Sequence, residues 1–229
     1  MKKTTFVAFL LLTSTKLLAG NIISEINLIE SSWATIYYSE NNDQQRLHYP
    51  ALIRKTEALS KKYPDTIEPV IWKAILIATN ATYESPFTAL ESINTAKELL
   101  EYSIKKQPDA LEGAAQVVLA TLYYMTPGWP ISFGNNKRAE HLFQTALKIN
   151  PLGIDSNYFY GDYLLSQGNT KKAQTYFKRA LESPVRQHQK FADTQLKQEA
   201  LTALKQTQSS KLTSGKNKFI SLFSSANSK

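Results

Sequence analysis

One apolar pattern occurs twice in this chain at a spacing of 43 residues. Trp72, Ile75, Leu76 and Thr79 fall at 0, 3, 4 and 7, one face of a helix, and are followed by Ala96, Leu100, Ser103 and Pro108. Ala115, Val118, Leu119 and Leu122, then Ala139, Phe143, Ala146 and Pro151, superimpose on that series without a gap. A third copy reads Asn157, Tyr160, Gly161 and Leu164, then Ala173, Phe177, Ala180 and Pro184, with Gly168 in the turn. A degenerate earlier pair carries Trp33, Ile36, Tyr37 and Glu40, then Leu52, Thr56, Leu59 and Pro64. Helical units of this kind cannot bury their apolar flank alone, so neighbours must stack. The expected fold is all-α.

The third copy resembles a tetratricopeptide (TPR) repeat, whose signature is W-x2-L-G-x2-Y, then A-x3-F, then P. Small residues such as Gly161, Ala173 and Ala180 let paired helices approach, while larger ones fill the seam with the next pair. The architecture expected is therefore a TPR-like helical-hairpin superhelix with a C-terminal capping helix. In the first two copies the stretch between helices is eight residues longer than the consensus allows. One such stretch is NATYESPF at 80–87; the other holds PGWPISFG at 127–134. Two prolines and two glycines prevent PGWPISFG from continuing either flanking helix.

Helices are expected at 23–40, 44–62, 67–82, 88–106, 110–125, 136–149, 155–167 and 170–182, with a covering helix at 191–205. Thr88-Ala-Leu-Glu91 and Asp109-Ala-Leu-Glu112 have the form of capping boxes, and Asp155 and Asn169 are candidate caps. The domain plan is a signal peptide at 1–20, a helical domain at 21–205 and a mobile polar tail at 206–229.

The first segment, MKKTTFVAFLLLTSTKLLAG, joins two lysines to an apolar run and a small-residue end, the layout of a secretory signal peptide. Leu18-Ala19-Gly20 resembles a lipobox, yet the next residue is Asn21 and the sequence has no Cys, so neither a lipid anchor nor a disulfide is expected. The protein is expected to be exported and soluble, periplasmic in the simplest case. Its net charge of +8 sits at the ends. Residues 21–205 carry 20 basic and 19 acidic side chains, a net of +1, too little for phosphate-backbone binding. Nucleic acid is not an expected partner.

The segment from PGWPISFG through NPLGIDSNYFYGDYLLSQGNTKKA to ALESPVR resembles the T-component family of TRAP transporters, the TatT-like proteins. That resemblance implies an exported helical protein with a groove or pore, working with a periplasmic solute-binding protein and a small organic solute. Some members form trimers, which implies a homo-oligomer. Many are lipoproteins, a pattern from which Asn21 departs. Arg186 resembles a recurrent family arginine, with Asp162 or Asp193 as its expected partner.

No catalytic or cofactor-binding pattern stands out. His48, His141 and His188 are scattered, and no nucleophile motif, phosphate-cradling loop or metal spacing occurs. A non-enzymatic binding protein is expected; a peptide- or helix-binding adaptor is the alternative. Counting from the repeat anchors puts Lys73, Ile77 and Asn80, then Gln116, Ala120 and Tyr123, then Tyr158, Asp162 and Leu165, on a concave wall. Tyr123 and Tyr158 either face that groove or pack between repeats. Trp129 and Phe133, expected to lie beside Tyr83 and Phe87, form either a stiff clasp or a ligand lid. Tyr160 is expected to face its partner helix while Tyr158 looks toward the groove.

Overall fold

The computed structural model describes residues 4–208, with side chains described from residue 21 onward. The expected tail therefore lies outside the described residues beyond its first three positions. Nine helices follow one another among the described residues: α1 (Thr4–Ser39), α2 (Asn42–Lys62), α3 (Glu68–Asn80), α4 (Pro86–Lys106), α5 (Ala114–Met125), α6 (Asn136–Ile149), α7 (Ile154–Ser166), α8 (Thr170–Glu182) and α9 (Lys190–Gln208). Short 3-10 turns sit at Ala81–Tyr83, Ala110–Gly113 and Gln187–Gln189. No strand occurs among the described residues, only an isolated bridge between Gly128 and Gly134. The protein is all-α.

Periodicity locates the helices well, but their starts obey different residues from those expected. Asn41 caps α2 in a reciprocal box with Gln44. Ser85, not Thr88, caps α4 by accepting from the Thr88 amide. Asn135 caps α6 by accepting from the Arg138 amide. Asp109 caps nothing, because Leu111, Glu112 and Gly113 adopt left-handed backbone and α5 begins only at Ala114. Gly153 stands at the start of α7, which frees Asp155 for an ion pair, and Asn169 makes no side-chain cap bond.

Three expected second-helix triads are fully buried, Ala96, Leu100 and Ser103 on α4, Ala139, Phe143 and Ala146 on α6, and Ala173, Phe177 and Ala180 on α8, and Leu52, Thr56 and Leu59 of the degenerate pair are buried on α2. Trp72, Leu76, Ala115, Leu119, Leu122, Asn157, Tyr160 and Leu164 are buried on the partner helices. Each large apolar side chain so placed contributes roughly 1.5–3 kcal/mol. At Gly161 a methyl group would stand 2.8 Å from two carbons of the Phe177 ring, so the α7–α8 pair closes only over glycine. Tyr160 turns to α8, meeting Tyr176 edge-on at 4.6 Å.

The hairpins α1–α2, α3–α4, α5–α6 and α7–α8 pack in chain order, and α9 covers the last. The odd-numbered helices form the inner layer: α1 touches α3, α3 touches α5, α5 touches α7 and α7 touches α9. That layer also closes, because α1 packs on α9. The first described helix thus meets the last described one, and the side chains at that junction form the candidate site.

Candidate functional site

Near its C-terminal end α1 carries an aromatic group. Trp33 and Tyr37, one turn apart, stack at 5.3 Å and 17°. Tyr38 meets Tyr37 edge-on at 4.7 Å and reaches across to Phe191 on α9 at 6.1 Å. Trp33 also touches Trp72 of α3, with ring centres 5.8 Å apart. From α7, Tyr158 donates a hydrogen bond to the Glu199 carboxylate of α9, whose charge also acts on Tyr37 and Tyr38. Below them Tyr49 stacks on Tyr83 at 6.0 Å, and the Tyr83 hydroxyl bonds to Gln45, whose amide holds the Tyr37 and Glu40 carbonyls.

Tyr37 shows what kind of surface this is. It is 42% exposed, as Phe191 is 44% exposed, yet desolvation pushes its phenol up to about 12. One part of the ring faces water and the rest is packed against protein. The phenols of Tyr38 and Tyr158 are raised further by burial and by Glu199. All three are therefore neutral at physiological pH.

A polar cluster stands at the same junction. The Arg186 guanidinium lies 2.8 Å from Asp155 of α7 and 2.6 Å from Asp193 of α9, and its backbone amide donates to Asp193 at 2.7 Å. The arginine thus pairs with Asp193, as one expected alternative had it, and with Asp155 rather than Asp162. Glu30 of α1, 6% exposed, faces this cluster with His188 at 4.0 Å. Burial pushes the Glu30 carboxyl up to about 8; Arg186 pulls it down, and Asp155, Asp193 and Glu112 push it up again.

The eight expected binding residues disperse to several places. Tyr158 joins the aromatic group through Glu199, and Asp162 lies close enough to act on its phenol while accepting from the buried Tyr124 hydroxyl at 2.5 Å. Lys73 pairs with Glu57 of α2 at 2.7 Å. Asn80 donates to Glu84 at 2.8 Å in a depression of about 300 Å³ shared with Ile53, Ile77 and Ser92. Gln116 is buried and donates to the Pro108 carbonyl at 2.6 Å. Tyr123 turns to the outer layer, because α4 and α6 supply both partners its hydroxyl needs: Glu101 at 3.1 Å as acceptor and Arg138 at 2.9 Å as donor. It lines a depression of about 500 Å³ between α4, α5 and α6, rimmed by Lys105, Lys137, Arg138 and His141. The adjacent Tyr124 takes the inner position instead.

The PGWPISFG loop divides its two aromatics. Phe133 packs edge-on against Tyr123 at 5.4 Å, with the Lys97 ammonium 5.7 Å from its ring. The Gly134 amide donates to the Pro127 carbonyl at 2.9 Å, and the Asn135 amide to the Tyr123 carbonyl at 2.8 Å. Phe133 is thus packed onto the helices, the arrangement that a clasp requires. Trp129 is 90% exposed, and Phe87, which the structure places in the first turn of α4, is also exposed, so these two aromatics are not buried against each other. Tyr83 has its own place on Tyr49.

Glu30, Tyr38, Phe191 and Glu199 were not singled out in the sequence. Trp33 and Tyr37 were visible there as anchors of the degenerate first pair, but nothing in the repeat spacing announces that α1 returns to α9. No group of three or more His, Cys, Asp or Glu among the described residues could hold a metal ion, and no described helix is long and apolar enough to cross a membrane. No protein-family model and no curated protein matches the chain.

Proposed function

We propose that this chain is an exported, non-enzymatic scaffold of TPR-like hairpins that binds a ligand in a concavity formed by the aromatic side chains of the α1–α9 junction. Its role would be that of an accessory to periplasmic solute uptake of the TRAP T-component kind. The part-exposed rings of Tyr37 and Phe191, grouped with Trp33 and Tyr38 where α1 meets α9, are the observation that carries the binding role. The hairpin assignment draws on the fully buried triads of α4, α6 and α8 and on the close approach at Gly161. Removal of a leader after Ala19 or Gly20 would leave every described aromatic side chain of α1 in the mature protein.

Native mass spectrometry of the protein purified from its own envelope tests this. A retained small molecule, lost on Tyr37→Leu, is expected. A ligand-free mass at every protein preparation, or retention unaffected by Tyr37→Leu, overturns the concavity as the site. An uncut N-terminus in the same spectrum overturns export.

A second role, as a protein adaptor, is favoured by Trp129 alone. A large ring held 90% exposed on a hydrogen-bonded loop has the form of an interface anchor. If it is one, Trp129→Ala removes a co-purifying partner without altering the retained small molecule.

A further inference from the structure

The PGWPISFG loop meets the groove between α4 and α6 in a surface that is both apolar and basic. The groove holds the depression of about 500 Å³, floored by Ile104 of α4, Leu119 and Tyr123 of α5 and Leu142 of α6. Tyr123 links it to the loop, since its ring packs on Phe133 and its hydroxyl accepts from Arg138. The loop is held in one shape by the Ile131 and Ser132 amides, which donate to the Gly128 carbonyl, and by the Gly134 amide, which donates to Pro127. On that frame Trp129 and Ile131 stand exposed. The lining of the depression sets Lys105, Lys137 and Arg138 against the single carboxylate of Glu101, which Lys97 and the Tyr123 hydroxyl already engage at 2.9 and 3.1 Å. Adding Lys97 and the exposed Glu98 from the same helix still leaves four cations against two carboxylates. Glu140 of α6 faces α7 instead, acting on Tyr160 and Tyr163. Among the described residues neither Lys105 nor Lys137 takes part in an ion pair.

We infer that this surface docks an acidic amphipathic segment of a partner protein, one apolar side chain of which seats in the depression while its flanking carboxylates face Lys105 and Lys137. The inference supplies the chemistry of the partner in the adaptor reading and rests on that reading, not on the ligand site at the α1–α9 junction. Interface energy concentrates in Trp, Tyr and Arg, and the polar rim around them stays in water. Trp129, Tyr123 and Arg138 supply the first kind of residue here, and the exposed Lys105 and Lys137 supply the second. A loop already fixed by its own hydrogen bonds has little freedom left to lose on docking. A basic segment would be repelled by the rim, and an uncharged one would gain nothing from it. A small anion would answer the lysines yet leave Trp129 and Ile131 in water.

A displayed library of random peptides, selected on the full chain, reads this chemistry directly. Enriched peptides should carry net negative charge around large apolar residues. Fluorescence anisotropy of an enriched peptide should show affinity falling about tenfold or more when Lys105→Glu and Lys137→Glu are combined, and about 30-fold in Trp129→Ala. Leu142→Ala, which removes part of the floor, should weaken binding by about tenfold, while Tyr37→Leu should leave it unchanged. Lys105, Lys137 and Trp129 are all exposed, so their variants decide the matter even if Leu142→Ala fails to fold. Enrichment of basic or uncharged peptides that still need Trp129 overturns the acidic partner and leaves the adaptor standing. Acidic peptides that bind the double lysine variant as tightly as the wild type overturn this surface. No enrichment, or Trp129-dependent sedimentation with phosphatidylglycerol vesicles in its place, overturns the protein segment as occupant, while co-purification judges the adaptor reading separately.

Discussion

Glu30→Gln isolates the electrostatics that join the first helix to the last. In the folded protein the Glu30 carboxyl has a value of about 8, against 4.5 ordinarily, because it is buried beside an arginine already held by two aspartates. The sign follows from linkage. Protonated Glu30 stabilises the fold fully below pH 4.5, where the unfolded carboxyl also keeps its proton, and that contribution is lost as pH rises through about 8. Each tenfold difference in proton affinity is worth about 1.4 kcal/mol, so the wild type forfeits on the order of 3 kcal/mol by pH 7 and levels off near 5 kcal/mol above pH 8. Glutamine cannot ionise and escapes this loss. Urea unfolding of both proteins from pH 5 to pH 9 at one ionic strength should show the variant gaining on the wild type by up to about 1.4 kcal/mol per pH interval, then running parallel. A difference that stays flat across that range refutes the buried, protonated carboxyl.

Arg186→Met should cost about 3–5 kcal/mol in the same assay, since it leaves the fully buried Asp193 without its cation. Gly161→Ala should destabilise by about 1–3 kcal/mol despite the better helix propensity of alanine, because the buried Phe177 ring has nowhere to go; a neutral result would mean that the α7–α8 seam is looser than it is drawn. Phe133→Ala should lower the melting temperature by removing the contact with Tyr123, whereas Trp129→Ala should alter stability by no more than about 0.5 kcal/mol. Differential scanning fluorimetry of the pair distinguishes clasp from exposed anchor.

The hairpins were legible because their information is local and repeated. Ala139, Phe143 and Ala146 recur at the 3- and 4-residue steps that place them on one face, and that face is buried. The caps were less legible, because Ser85, Asn135 and Gly153 compete with nearby Thr88, Asn136 and Asp155, and only the path of the preceding loop decides which residue has extended backbone. Wall positions counted along a helix also fail where a polar tip has better partners elsewhere. Tyr123 and Tyr124 are neighbours in sequence, and hydrogen bonds to Glu101 and Arg138 on one side and Asp162 on the other decide which turns outward. The meeting of Tyr38 with Phe191 joins residues 153 positions apart, and no periodicity encodes such a distance.

Closure of the inner layer is packed more loosely than the hairpins are. Within the hairpins the seams are made of wholly buried Ala, Phe and Leu side chains, whereas α1 meets α9 through an edge contact of half-exposed rings and a 4.0 Å approach between Glu30 and His188. Local opening should therefore begin there, well below the free energy of global unfolding. Amide exchange along residues 21–39 should be faster than along α8, and a ligand filling the concavity should slow it by binding only the closed form. Glu30→Gln at pH 8 should slow the same amides while leaving those of α8 unchanged, since it relieves a cost felt only where α1 is docked. If ligand or variant protects every helix alike, the junction opens only with the whole fold, and the concavity is a fixed feature of the core.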